Sequence, residues 1–152
     1  MDEFARFFPD GDTLDPQAVR AAGLVAMPLP ESVFGGDILD LGALAKPGSV
    51  VLWSHEFSRA TQVHPGLTLP QAATLVDELC AYDLLLAFPG GLRLWMPGGH
   101  EFFVLFGPAD QLEAVRQARI FDYPYAEYLD APHHSPRSRE VLAEIGRRYS
   151  IA

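Results

Sequence analysis

Lysine is almost missing from this chain: of its 11 basic residues ten are arginine, and only Lys46 is lysine. Set against 20 aspartates and glutamates, those bases leave a formal charge of −9, a field that repels phosphate backbones and anionic membrane surfaces. Nucleic acid and membrane are therefore excluded as expected partners, and a basic protein is the better electrostatic match. The arginine bias accompanies 13 glycines and 13 prolines and is read as GC-rich coding rather than as a set of bidentate recognition groups. Cysteine is equally scarce. Cys80 alone cannot close an intramolecular disulfide, and a four-thiolate zinc site is impossible, which fits a reducing cytoplasm. Long hydrophobic runs are also lacking, since no stretch approaches the roughly 18 apolar residues of a membrane span. The opening Met1-Asp2-Glu3-Phe4 is acidic where a signal peptide is basic.

What is present is a globular composition. The 152 residues are 49% hydrophobic and 11% aromatic, enough apolar material for one core, so residues 1–152 are expected to form a single domain. Charge is uneven along it. Residues 1–45 hold eight acids (Asp2, Glu3, Asp10, Asp12, Asp15, Glu31, Asp37, Asp40) against Arg6 and Arg20, which is −6 of the total −9. Such asymmetry marks either an interaction surface or a solvated face.

Local signals predict an α+β fold. Asp15-Pro16 opens a short helix that Gly23 closes. Residues 24–49 carry Pro28, Pro30, Gly35, Gly36, Gly42, Pro47 and Gly48, a punctuation that predicts loops with one short strand at Leu24–Met27. Val50–Trp53 reads as a buried strand. Thr68-x-x-Gln71 fits a capping box, and Ala72, Leu75, Val76 and Leu79 follow at helical spacing. Leu84–Phe88, Leu92–Met96 and Phe102–Phe106 are apolar runs separated by glycine-rich turns, the pattern of an antiparallel meander at about 84–106. Further helices are predicted after Gly107-Pro108 and after Ser135-Pro136, with a short strand at Ile120-Phe121 between them. The expected architecture is a four- to five-stranded, mainly antiparallel sheet with three to four helices on one face.

No motif fixes a reaction. His55, Glu56, His64, His100 and Glu101 supply imidazole and carboxylate groups, but Arg59 stands where a zincin helix places its second histidine. In a strand, adjacent His and Glu point to opposite faces, so each such pair offers one side chain to a site. Cys80 is read as a small core residue without a nucleophilic role. The glycine pairs lack dinucleotide or phosphate-loop spacing. No catalytic residue, metal or cofactor is assigned.

The most distinctive segment is Phe121–Asp130. Tyrosine offers large contact area at low entropy cost and carboxylates pair with a partner's Arg or Lys, so Asp122, Tyr123, Tyr125, Glu127, Tyr128 and Asp130 are the candidate partner-binding residues. The competing structural reading has Phe121, Tyr125 and Leu129, spaced by four, burying one face of a short helix while Asp122, Glu127 and Asp130 are solvated. The functional expectation is a non-catalytic intracellular protein that neutralises or regulates a basic protein partner, with a bacterial toxin immunity protein as a concrete case. The alternative is a small metal- or ligand-dependent enzyme with a His/Glu pocket. No oligomeric state is specified.

Overall fold

The computed structural model describes residues 3–30, 35–55, 60–98, 102–121 and 124–152. In chain order the elements are α1 (Glu3–Phe7), α2 (Pro16–Ala21), β1 (Val25–Pro30), α3 (Gly35–Leu44), β2 (Val50–His55) and β3 (Gln62–Leu67). They continue with α4 (Leu69–Glu78), β4 (Asp83–Ala87), β5 (Arg93–Met96), β6 (Phe102–Gly107), α5 (Ala109–Ala118), α6 (Tyr125–Leu129) and α7 (Pro136–Tyr149). The strands form one six-stranded sheet in the order β1-β6-β5-β4-β2-β3, with every pairing antiparallel. The α+β class and the β4-β5-β6 meander agree with the sequence reading.

Register places the core. Trp53, Leu85, Trp95 and Val104 stand opposite one another across four strands, and Leu52, Leu86, Leu94 and Leu105 form the adjacent row. Directly opposed residues share a face and successive residues alternate, so the rows lie on opposite sides of the sheet. Each has its own helices. The first packs with Phe7 of α1, Val19 of α2, Tyr128 of α6 and Tyr149 of α7. The second packs with Ile38 and Leu41 of α3, Val76 of α4 and Leu112 of α5.

Helices thus cover both faces, correcting the expectation of three to four helices on one face; seven helices and six strands are present among the described residues. The cause is visible in β4, where Leu84, Leu85 and Leu86 are all buried. A strand apolar at consecutive positions leaves neither side fit for water.

Other departures have local causes. Residues 24–49 were expected to be mostly loop, yet they contain β1, which runs to Pro30, and the ten-residue helix α3. The last of its three glycines serves packing: a Cβ at Gly42 would collide with the Leu69 side chain, so Gly42 lets α3 and α4 approach closely. β3 was not foreseen, because Pro65 and Gly66 disguise it. Ile120 and Phe121 lie outside any strand and join the second core. The predicted caps are present: Asp15 accepts from the Gln17 N–H at 3.0 Å, Thr68 and Gln71 form the reciprocal box, and Ser135 accepts from the Ser138 N–H at 3.1 Å.

Both sheet edges are managed. On β1, Ala26 donates to and accepts from Ile151 at 2.9 and 3.0 Å. On β3, Pro65 lacks a donor, Gly66 adopts φ +69°, and the register shifts between Val50 and Leu52; proline and irregularity discourage pairing with another chain.

One turn tolerates only glycine. The Gly98 N–H donates to the Asp83 carboxylate at 2.7 Å, and a Cβ there would lie 2.6 Å from the Ala81 carbonyl oxygen. Because that neighbour is backbone, Gly98→Ala should destabilise by about 1–3 kcal/mol. Chemical denaturation checks this; an unchanged midpoint would show that the β5-β6 turn relaxes freely.

Candidate interaction surface at α6 and α7

The tyrosine-rich segment becomes α6, lying against α7. Pro124 precedes it and Tyr125 and Tyr128 turn inward. The Tyr125 hydroxyl donates to the Leu142 carbonyl at 2.6 Å, tying α6 to the middle of α7. Tyr128 is buried and meets the His134 ring edge-on at 4.6 Å. Gly146 gives Tyr125 room, since a Cβ there would be 3.0 Å from its ring. These two tyrosines hold the helix in place, Tyr128 buried and Tyr125 half-buried against the first core.

The polar residues do face outward. Glu127 is exposed, and Asp130 accepts from Arg139 at 2.6 Å while both side chains stay largely in water. Exposed pairs of this kind contribute only about 0–1 kcal/mol, so the pair is exchangeable. Between α6 and the start of α7 lies an open groove of about 820 Å³, lined by Ala126, Leu129, Ala131 and Ala143 with Asp130, Arg139 and Glu140 among its polar groups. Of the six residues singled out in the sequence, Tyr125, Glu127, Tyr128 and Asp130 gather on this element, and Asp122 and Tyr123 lie outside the described residues. Sequence reasoning missed Arg139 and the alanine-lined groove. Arg139 lies nine residues beyond Asp130, and only the turn between the helices brings the two together.

The histidine–glutamate set does not gather among the described residues. His55 Nε2 lies 3.1 Å from Asp12 Oδ1, its Nδ1 lies 3.1 Å from the Thr61 hydroxyl, and the ring stacks near Phe4 at 6.2 Å. His64 lies opposite Leu52 in the register, with Nε2 at 3.4 Å from the Ser54 hydroxyl. The two imidazoles therefore occupy opposite faces of the sheet. Glu56, His100 and Glu101 lie outside the described residues, and no three His, Cys, Asp or Glu among the described residues are placed to hold a metal ion. Cys80, expected in the core, is exposed beyond the end of α4.

Four of the eight N-terminal acids, Glu3, Asp10, Asp12 and Asp15, are engaged within the fold. Glu3 accepts from Arg93 at 2.6 and 2.9 Å, and that guanidinium also lies 5.0 Å from the Phe7 ring centroid. Asp10 accepts from the Asp12 and Thr13 N–H groups; chiefly the Thr13 bond holds its carboxyl below the ordinary aspartate value, although partial burial opposes this. Asp12 faces His55 and Asp15 caps α2. No helix is long and apolar enough to cross a membrane among the described residues. No family model, curated protein or solved structure matches the chain.

Burial raises the Tyr125 phenol well above the ordinary tyrosine range, with Tyr128 adding to the shift. Burial also raises that of Tyr149, with Arg148 opposing it. A raised folded-state value means that the native protein holds these protons more tightly than the unfolded chain. Their contribution is therefore complete below about pH 10, the ordinary tyrosine value, and is lost as pH rises beyond it. Tyr125→Phe should cost about 0.5–1.5 kcal/mol at neutral pH through the lost hydrogen bond and flatten the alkaline decline. Urea titrations across pH 7 to about 11 would read both effects, and an identical decline in the variant would assign it elsewhere.

Proposed function

We propose that this protein is a non-catalytic binding protein of the cytoplasm that neutralises or regulates a basic protein partner, a toxin's immunity protein being one concrete case. The observation that carries the reading is the groove between α6 and α7, an alanine-lined hollow with Glu127 exposed beside it and the exchangeable Asp130–Arg139 pair at its rim. A partner's arginine can replace Arg139 on Asp130 at little cost, because the existing bond is solvated on both sides. The small residues leave space for an inserted side chain. The charge of −9 adds long-range attraction, which accelerates encounter with a basic surface. Tyr125 and Tyr128 serve this surface indirectly by fixing α6 on α7.

The competing enzyme reading gains no comparable support. His55 and His64 stand on opposite sides of the sheet, and each engages a nearby hydroxyl.

The test is low-salt affinity isolation of the tagged protein from its source cells, followed by reconstitution with the purified partner. A stoichiometric basic protein is expected. Glu127→Lys with Asp130→Lys should weaken the complex by at least about tenfold, the equivalent of roughly 1.4 kcal/mol. The melting temperature should hardly move, since both positions are exposed. The wild-type on-rate should fall as salt rises. Undiminished affinity in the double variant, or a salt-independent on-rate, would overturn the proposed surface.

A further inference from the structure

Helix α3 has an unusual composition for a helix on the outside of a protein. Ile38 and Leu41 are fully buried against the sheet, yet Leu39 and Leu44 remain 42% and 41% exposed. Around the helix, Leu39, Ala43, Asp40 and Leu44 follow one another across the outward side, all of them exposed. Apart from Asp37 and Asp40, every residue of Gly35–Leu44 is apolar or glycine. A leucine-rich helical face is ordinarily covered, and here the core, α4 and α5 cover the inner side while Leu39 and Leu44 stay in water. The apolar surface continues past Leu44 into a hollow of about 480 Å³, whose walls include Ala43, Ala45, Leu69, Pro70 and Phe88.

Charge on α3 and α4 has one sign, with Lys46 the one base lining the adjoining hollow. α3 packs on α4, and neither helix contains Lys, Arg or His. Asp40, Asp77 and Glu78 are exposed and make no side-chain hydrogen bond or ion pair with another described residue. Lys46, two residues beyond α3, is the one Lys or Arg among the described residues between Arg20 and Arg93. The contrast with the other layer is sharp: α6, Asp130 and α7 hold Glu127, Asp130, Glu140 and Glu144 against Arg137, Arg139, Arg147 and Arg148, a local balance of zero.

We infer that the outer face of α3, with the adjoining end of α4, docks a cationic amphipathic helix of a partner protein, its apolar side on Leu39, Ala43 and Leu44 and its lysines or arginines over Asp40, Asp77 and Glu78. Two other occupants fit poorly. A second copy meeting this face through a two-fold axis sets carboxylate against carboxylate with no base on either helix, and like charges across an interface cost several kcal/mol. An anionic lipid surface meets the same repulsion. A basic helix satisfies both features: it removes two large leucines from water and supplies the cations that α3 and α4 lack. The inference stands on a different surface from the α6–α7 groove and does not depend on it.

The probe is a synthetic 18-residue leucine–lysine amphipathic helix, with a scrambled peptide of the same composition as control, titrated into the isotope-labelled full chain by NMR. Shift changes should concentrate on 36–44 and 74–80, and the scrambled peptide should bind at least tenfold more weakly. Leu39→Ser with Leu44→Ser should weaken binding at least tenfold, without loss of fold since both side chains are already exposed. Asp40→Lys with Asp77→Lys should do the same. Glu127→Lys with Asp130→Lys should leave this titration unchanged, which separates it from a failure of the α6–α7 reading. The inference is overturned by absent binding, by shifts spread over the surface or centred on α6, or by equal affinity for the scrambled peptide. A wild-type dimer in sedimentation that the leucine variant dissolves would also overturn it, by making a second copy the occupant.

Discussion

Leu84, Leu85 and Leu86 stand in the middle of the sheet, flanked by β2 and β5. Neighbours along a strand point to opposite faces, so this run requires cover on both. Each fully buried leucine contributes about 1.5–3 kcal/mol relative to exposure, and the same demand is repeated by Leu94-Trp95-Met96 and by Val104-Leu105-Phe106. The helical layers answer that demand. Aromatic residues fill the first, where Phe8, Phe102 and Tyr149 meet Trp95 edge to face at 5.6 Å. Aliphatic residues dominate the second, where Gly42 draws α3 onto α4. Tyr149 also reaches across to the N-terminal segment, donating to the Leu14 carbonyl at 2.7 Å, so the last helix and the first loop are closed over the same rings.

Much of this was legible in the sequence, and what escaped shares one cause. The capping box at Thr68, the cap at Asp15 and the glycine-separated meander are local signals, read within a few residues. The layer arrangement is not local. An alternating strand reveals a one-sided sheet at once, whereas a continuous apolar run fits either a fully buried strand or part of a helix; here Leu84–Leu86 also implied a second layer. α3 was missed because Gly36 and Gly42 argue against a helix by propensity, a cost of about 1 kcal/mol each. The close approach of the Leu69 side chain gives Gly42 a packing role that appears only once α4 is in place. β3 was missed because a proline and a positive-φ glycine are turn signals everywhere except at a sheet edge.

The candidate surface was legible in the same partial way. Four-residue spacing suggested Phe121, Tyr125 and Leu129 as one buried stripe; Tyr125 and Leu129 do pack against the first core, Phe121 packs against the second, and Tyr128, buried more deeply, meets His134. Glu127 and Asp130 were correctly placed in solvent. What spacing could not supply was the partner of Asp130: Arg139 belongs to the next helix, to which the Tyr125–Leu142 hydrogen bond ties α6.

Charge illustrates how far a fold can move a property away from where the sequence counts it. By sequence the acidity belongs to residues 1–45. In the folded chain Glu3 holds Arg93, Asp10 and Asp15 accept backbone N–H groups, and Asp12 faces His55. Those carboxylates already have structural tasks, and a partner that recruited them would have to break the bonds closing α1 and α2 onto the core. Asp40 of α3, counted in the same N-terminal segment, and Asp77 and Glu78 of α4 carry no such obligation, so their charge remains available at the surface. A local count of acids therefore mixes carboxylates bound into the fold with one that stands beside exposed leucines.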